Sequence, residues 1–125
     1  MGYAISVDEH DAIAKICLTG EIPHSEHLKA RDELLALCRS RDIHKILVDA
    51  RELIAAAGTM ALFDFSASWA QLAQRTPVIL AGVLPRDPAT KESLRFGDTV
   101  AANRGLVTHA FEDPDQARRW LRDAR

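Results

Sequence analysis

The sequence has few cysteines, and the two that are present lie far apart, Cys17 in a predicted strand and Cys38 in a predicted helix. A small disulfide scaffold is therefore excluded, and we expect two reduced core thiols in a cytoplasmic protein. An excess of one charge is also missing, because sixteen basic and eighteen acidic side chains give a formal net charge of −2. No strongly basic face is implied, so we expect no nucleic-acid partner.

Long apolar runs and catalytic signatures are absent as well. No stretch reaches the ~18–20 apolar residues of a membrane span, and the first residues lack the basic start and apolar core of a secretory signal. The chain has no Gly-x-Ser-x-Gly turn and no Gly-x-Gly-x-x-Gly or Gly-Lys-Thr phosphate loop. We therefore expect no catalytic residue, no cofactor and no enzyme activity.

What is present is the composition of an ordinary globular protein. The 125 residues are 47% apolar and 27% charged, which excludes a disordered or collagen-like chain. This length fits one domain and can bury a self-sufficient core. We expect residues 1–125 to form a single α/β domain.

Hydrophobic periodicity predicts the element order β-β-α-β-α-β-α-β-α. Ala12, Ala14, Ile16 and Leu18 recur at every second position and are predicted to share one face of the second strand. The predicted strands cover 3–7, 12–18, 45–49, 77–83 and 106–111; the predicted helices cover 25–40, a segment ending near 75, 88–104 and a last segment from 114. Strand–helix–strand crossovers require parallel pairing, so we expect a mixed five-stranded sheet with an antiparallel first strand.

Three local patterns make further predictions. The continuous apolar run at 45–49 is typical of a strand buried on both faces. Asp87-Pro88 and Asp113-Pro114 are signals for the start of a helix, the second with Gln116 as in a capping box. The first helix is predicted to bury one arc of residues, which comprises Ala30, Leu34, Leu35, Leu37 and Cys38.

The second helix is more apolar than its place on a surface requires, since ten of the fourteen residues between Met60 and Ala73 are apolar. Its extra apolar flank has three interpretations. The flank could pack on the third helix through Phe63 and Phe96, or form a homodimer interface. Alternatively, it could line an apolar ligand pocket or a membrane-facing surface beneath a helix that moves on Gly58.

Polar candidates are sparse. Asp49 and Arg51 lie at the end of the predicted third strand, at the sheet edge where α/β proteins bind ligands, but a structural ion pair or cap is the favoured interpretation. His24 and His27 lie one helical turn apart, but the sequence places no third ligand beside them. We therefore predict no metal site.

The chain resembles the STAS domain, the fold of bacterial anti-sigma factor antagonists. It resembles more specifically the short bacterial SpoIIAA-like proteins grouped as STAS/SEC14-like. The element order carries this resemblance over nearly the whole chain. The matching segments are Ile46-Leu47-Val48-Asp49-Ala50-Arg51 and the tail from Asn103-Arg104-Gly105 through Phe111-Glu112-Asp113 to Ala117-Arg118-Arg119-Trp120-Leu121.

The resemblance implies two alternative functions. The SpoIIAA-like branch implies a non-enzymatic carrier of an apolar or lipid-like ligand, with reversible membrane association, and this is our first hypothesis. Its pocket would be lined by Phe63, Phe65, Trp69, Leu72 and Phe96.

The alternative is a STAS-type protein-interaction and regulatory module that uses the start of the second helix, around Gly58 and Thr59. Anti-sigma factor antagonists carry a phosphorylatable serine in an Asp-Ser-Ser-Gly-like turn. The corresponding stretch here reads Ala56-Ala57-Gly58-Thr59. This stretch does not keep the Asp-Ser of the motif, although Thr59 could in principle accept a phosphate at a helix N-terminus, where the helix dipole stabilises negative charge.

Overall fold

A five-stranded sheet organises the chain in a computed structural model, which describes residues 2–54 and 67–124. The predicted order of strands and helices is confirmed, and the second helix, α2, is described over residues 67–73. The other elements are β1 Tyr3–Asp8, β2 Ile13–Glu21, α1 His24–Arg41, β3 Lys45–Ile54, β4 Ile79–Val83, α3 Pro88–Asn103, β5 Val107–Phe111 and α4 Pro114–Asp123.

The strands lie in the order β1-β2-β3-β4-β5, so β3 is the central strand. β1 pairs with β2 antiparallel, and all the other neighbours pair in parallel. The predicted mixed sheet with an antiparallel first strand is therefore confirmed. Because β2, β3, β4 and β5 run the same way, their carboxyl ends meet along one edge of the sheet, which we call the carboxyl edge.

Helices cover β3 on both faces of the sheet. Ile46 belongs to a core that includes Leu34 of α1 and Trp69 of α2. The next residue, Leu47, points to the opposite face and packs in a second core with Leu121 of α4. Burial on both faces explains why residues 45–49 form a continuous apolar run rather than an alternating one.

The first helix buries the arc that its periodicity predicts, except that Leu37 is only partly buried. The helix ends at Asp42, whose left-handed backbone (φ 55°) terminates the hydrogen-bond ladder. Burial raises the pKa of the Cys38 thiol to about 11. This thiol is therefore protonated at neutral pH and acts as an apolar core group.

One prediction for the β1–β2 hairpin is wrong. Ala12 does not belong to the buried face of β2 but is exposed in the turn, with φ 54°. The turn is organised by Asp8, whose carboxylate accepts hydrogen bonds from the amides of His10 and Asp11 at 3.1 and 3.3 Å. The chain reverses over Ala12 in the left-handed region, and the buried alternation begins at Ala14.

The third strand is twice as long as the predicted 45–49, because β2 provides partners as far as its own end. Thr19, Gly20 and Glu21 pair with Glu52, Leu53 and Ile54. A register irregularity between Cys17 and Thr19 shifts the alternation, so that Ala50 and Leu53 both reach the core. Asp49 and Arg51 therefore lie within the strand and not after it.

Both predicted aspartate caps are present. The Asp87 carboxylate accepts a hydrogen bond from the Thr90 amide, and the Asp113 carboxylate accepts one from the Asp115 amide. A proline follows each cap at the start of its helix. Gly105 follows α3 with φ +100°, a conformation that favours glycine and turns the chain into β5.

Replacing Leu121 with alanine tests whether α4 is an integral part of the fold. Leu121 is fully buried against Leu47, Ala81 and Val83. We expect Leu121→Ala to lower the free energy of unfolding by about 3 kcal/mol, because a cavity forms in a closed core. Arg119→Ala, at an exposed position of the same helix, should change it by less than about 0.5 kcal/mol. Urea denaturation measures both, and equal losses would contradict the packing.

Candidate interaction surface

Asp49 and Arg51 form an ion pair on β3. Asp49 is only 7% exposed, and its carboxylate accepts hydrogen bonds from the Arg51 side chain at 3.0 and 2.8 Å. The Arg51 amide donates a third, longer hydrogen bond of 3.2 Å to the same group. The two residues lie two positions apart on one strand, which brings both side chains to the same face.

This pair has the electrostatics of a structural ion pair. The hydrogen bonds from Arg51 hold the pKa of Asp49 below its ordinary value, against the opposing effect of burial. The carboxylate is therefore charged and fully engaged at neutral pH. Such a group makes a poor general base, and the interpretation of Asp49 and Arg51 as a structural ion pair is favoured.

The Arg51 backbone and the Glu52 side chain connect β3 to the loop that follows β4. The Arg86 amide donates a hydrogen bond of 3.0 Å to the Arg51 carbonyl. The Arg86 guanidinium pairs with the Glu52 carboxylate. The backbone contact holds the β4–α3 loop against β3, so the carboxyl edge has a defined shape at this point.

Two further polar contacts continue along the carboxyl edge. Asp87 accepts hydrogen bonds from the Thr90 amide at 3.0 Å and hydroxyl at 2.7 Å, and these bonds lower the pKa of Asp87. Lys91 donates to Glu112 at 2.6 Å, and this contact lowers the pKa of Glu112. Most of the charged groups named along this edge are therefore paired within the fold, whereas Asp87 is bonded to Thr90 rather than to a cation.

An exposed apolar side chain interrupts this polar edge. Ile54 is the last residue of β3 and is 47% exposed. Gly58 and Thr59, the predicted interaction and phosphorylation residues, follow in the segment 55–66, which lies outside the described residues. β3 therefore delivers the chain to the carboxyl edge immediately before the predicted site.

The described members of the predicted apolar pocket occupy three different environments. Trp69 is buried in the core between α1 and the sheet, and Leu72 is partly buried against the same core. Phe96, on α3, is 43% exposed. Phe63 and Phe65 lie outside the described residues. The pocket stays a prediction, and so do the three interpretations of the apolar flank of α2.

An apolar groove that the sequence does not predict lies at the opposite edge, where the parallel strands begin. Its volume is about 410 Å³. Ala70 and Ala73 of α2 leave room for it, but no local pattern signals a groove whose walls come from four separate segments. The lining residues are His44, Lys45, Ala70, Ala73, Gln74, Pro77, Val78, Ile79, Arg104, Gly105, Leu106 and Val107.

The two histidines at the start of α1 do not gather further ligands. Burial lowers the pKa of His27, which favours its neutral form. Within the described ranges 2–54 and 67–124, no three His, Cys, Asp or Glu side chains come together as a metal site would require. Over the same ranges, no helix has the length and apolar character needed to cross a bilayer.

Comparison with known proteins identifies the fold. No protein-family model and no curated protein sequence matches this chain. A solved structure does: an anti-sigma factor antagonist from Mycobacterium paratuberculosis superposes with a TM-score of 0.62 and 17% sequence identity. The match covers 97% of this chain and 95% of that one.

The chain has the STAS fold of anti-sigma factor antagonists. The fold predicted from the resemblance is confirmed, including the mixed sheet and the order of its elements. Residues 55–66 follow β3 in the sequence and lie outside the described residues.

Removing Arg51 tests the pair that underlies this edge. We expect Arg51→Ala to lower the free energy of unfolding at pH 7 by about 1–2 kcal/mol, since it leaves a buried carboxylate with fewer partners and Arg51 itself is partly solvated. Arg51→Lys, which keeps the charge but not the two-pronged contact, should recover only part of the loss.

The pH dependence of the free energy of unfolding tests whether the Asp49 carboxylate contributes as a charged group. A carboxylate with a depressed folded-state pKa stabilises the fold above its unfolded pKa, about 3.9 for Asp, and loses that contribution as the pH falls through the lower folded value. Urea denaturation from pH 7 to 3 should therefore show wild type and Arg51→Ala converging at acid pH. A constant difference at all pH values would contradict the ion pair.

Proposed function

We propose that this protein is a non-enzymatic bacterial regulatory module that binds a partner protein through the carboxyl edge of its STAS fold. The observation that carries the proposal is the superposition of 97% of the chain on a protein described as an anti-sigma factor antagonist. The partner is a cytoplasmic protein in this proposal, and no cofactor takes part. This was the alternative of the two functions that the sequence resemblance implies.

The surface chemistry of the carboxyl edge supports protein recognition. The Asp49–Arg51 and Lys91–Glu112 ion pairs lie along this edge, and exposed Ile54 adds an apolar side chain at the end of β3. Apolar centres with a polar, hydrogen-bonded rim are typical of protein interfaces. Such an edge forms a frame on which a partner can dock.

Thr59 is the proposed control point. The predicted helix begins at this residue, and a phosphate there would lie near the helix N-terminus, where the dipole favours negative charge. A phosphate would also add about −1.5 to −2 charge at this residue. We propose that this change in charge switches partner binding.

Site-specific photo-crosslinking in the source cells tests the proposal. A photoreactive amino acid at Ile54, beside the proposed site, should give one discrete protein adduct. The matched control is His10, an exposed residue in the β1–β2 turn at the opposite end of the sheet, which should give none. Thr59→Glu combined with the Ile54 probe should reduce the adduct at least about fivefold, while Thr59→Ala should retain it.

Adduct patterns that do not depend on position would contradict the proposal. Equal adducts from Ile54 and His10 would indicate non-specific contact, and no protein adduct from Ile54 would exclude docking at this edge. Circular dichroism and urea denaturation of each variant would verify that the fold is intact.

A second candidate is the first hypothesis from the sequence, the binding of an apolar or lipid-like ligand. The apolar lining of the groove formed by Ala70, Ala73, Val78 and Leu106 favours it. Peripheral membrane contact belongs to the same hypothesis. It needs no partner protein and uses the edge of the sheet opposite the proposed docking site.

Native mass spectrometry of the freshly purified protein separates the two functions. We expect the mass of the bare polypeptide, because the proposed partner is a protein that purification removes. A bound lipid-like mass, recovered by organic extraction, would contradict this and support the ligand hypothesis. Ala73→Trp is the variant of choice for filling the groove, since Trp69 lies in the core and its replacement would destabilise the fold.

A further inference from the structure

β5 is an edge strand without the usual protection against pairing. It hydrogen-bonds to β4 on one side only, and in the described ranges 2–54 and 67–124 no strand lies on its outer side. Edge strands of monomeric proteins are commonly protected by Lys, Pro, a bulge or an inward-pointing charge. The sequence of β5, Val-Thr-His-Ala-Phe, contains no Lys, Arg, Asp, Glu or Pro, and its register with β4 is regular.

The direction of the free backbone groups follows from one hydrogen bond. The Phe111 carbonyl accepts from the Leu84 amide at 2.8 Å, so Phe111 directs its backbone groups toward β4. Since these groups alternate along a strand, Thr108 and Ala110 direct theirs outward. The outer edge of β5 therefore offers two amides and two carbonyls in the spacing of an antiparallel ladder.

The side chains on the α4 face of β5 are Val107, His109 and Phe111, which are exposed or partly exposed. Val107 is 55% exposed, the highest value among the large apolar residues described. His109 packs against Phe111 with ring centroids 4.7 Å apart and against Trp120 of α4 at 5.9 Å. An aromatic group beside an unpaired edge provides both hydrophobic contact and hydrogen bonds to an added strand.

We propose that β5 pairs antiparallel with β5 of a second copy of this chain, around a two-fold axis at His109, to form a continuous ten-stranded sheet. In this register Thr108 lies opposite Ala110 of the second copy, and the two residues exchange hydrogen bonds through their outward groups. His109 lies opposite its own equivalent. Val107 lies opposite Phe111 of the second copy, which covers the exposed valine.

The composition of β5 favours a second copy over an unrelated strand. β5 contains no Lys, Arg, Asp or Glu, so no like charges from these residue types meet when the strand pairs with its own copy. The two-fold pairing also places the apolar side chains of Val107 and Phe111 opposite each other twice, an arrangement that is complementary to itself.

The first test is the dimer dissociation constant of the full-length protein, measured by sedimentation equilibrium. We expect a dimer for the wild type. Val107→Lys should raise the dissociation constant at least about tenfold, because two charges per dimer enter the interface. Ile54→Lys, an equally exposed apolar residue on β3, is the matched control and should change it less than about twofold.

Cysteine cross-linking tests the register, in a Cys17→Ser background so that the partly exposed native thiol does not contribute. His109→Cys should form a disulfide with its equivalent under mild oxidation, since directly opposed residues of a non-hydrogen-bonded pair have Cα atoms about 4.5 Å apart. Val107→Cys should not, because two-fold pairing about His109 separates the two copies of residue 107 by about 13 Å along the strand.

Three outcomes would overturn the proposal. The first is a wild-type monomer at every concentration that solubility allows. The second is a dimer that Val107→Lys and Ile54→Lys weaken equally. The third is cross-linking of Val107→Cys as fast as that of His109→Cys. Ile54 and the Asp49–Arg51 pair of the carboxyl edge lie on β3 and take no part in the proposed interface.

Discussion

The parallel pairing of β3 with β2 and β4 is the constraint on which the rest of the structure depends. β3 is hydrogen-bonded on both sides and buried on both faces, so each neighbouring element is positioned against it. Ile46 ties the strand to α1, and Leu47 ties it to α4. The register irregularity near Cys17 turns Leu53 inward, and pairing with Thr19, Gly20 and Glu21 of β2 extends the strand to Ile54. The length of β3, which ends at Ile54, sets the position of the carboxyl edge.

The polar groups at that edge are satisfied within the fold. Asp49 is engaged by Arg51, and the Arg51 carbonyl in turn accepts the Arg86 amide. A catalytic site holds charged or basic groups that are free to react, whereas Asp49 and Arg51 are engaged in hydrogen bonds with each other. What remains for a partner is the shape of the edge, exposed Ile54 and the chain that follows it. This combination agrees with recognition between proteins, and it explains why charge alone gives no indication of a ligand.

The fold could be predicted from the sequence because its signals are local. The apolar run at 45–49 indicates two-sided burial by itself, and Asp87-Pro88 and Asp113-Pro114 mark helix starts. The extension of β3 through Arg51 and Glu52 could not be predicted, because polar residues remain in the strand only through partners that β2 supplies. Ala12 was wrongly placed in β2 because alternation does not reveal a left-handed turn. The groove was missed because distant segments form it, and the site at Gly58 and Thr59 stays a prediction.

Amide hydrogen exchange at Arg86 tests the central claim, that the carboxyl edge is a preformed frame for a partner. This amide belongs to a loop, but it donates to the Arg51 carbonyl on the central strand at 3.0 Å. The account predicts that it exchanges as slowly as the amides of β3, near the rate set by global unfolding, and far more slowly than the exposed amide of His10. Exchange of Arg86 at the rate of His10 would show that the edge opens independently of the sheet, and would contradict the account.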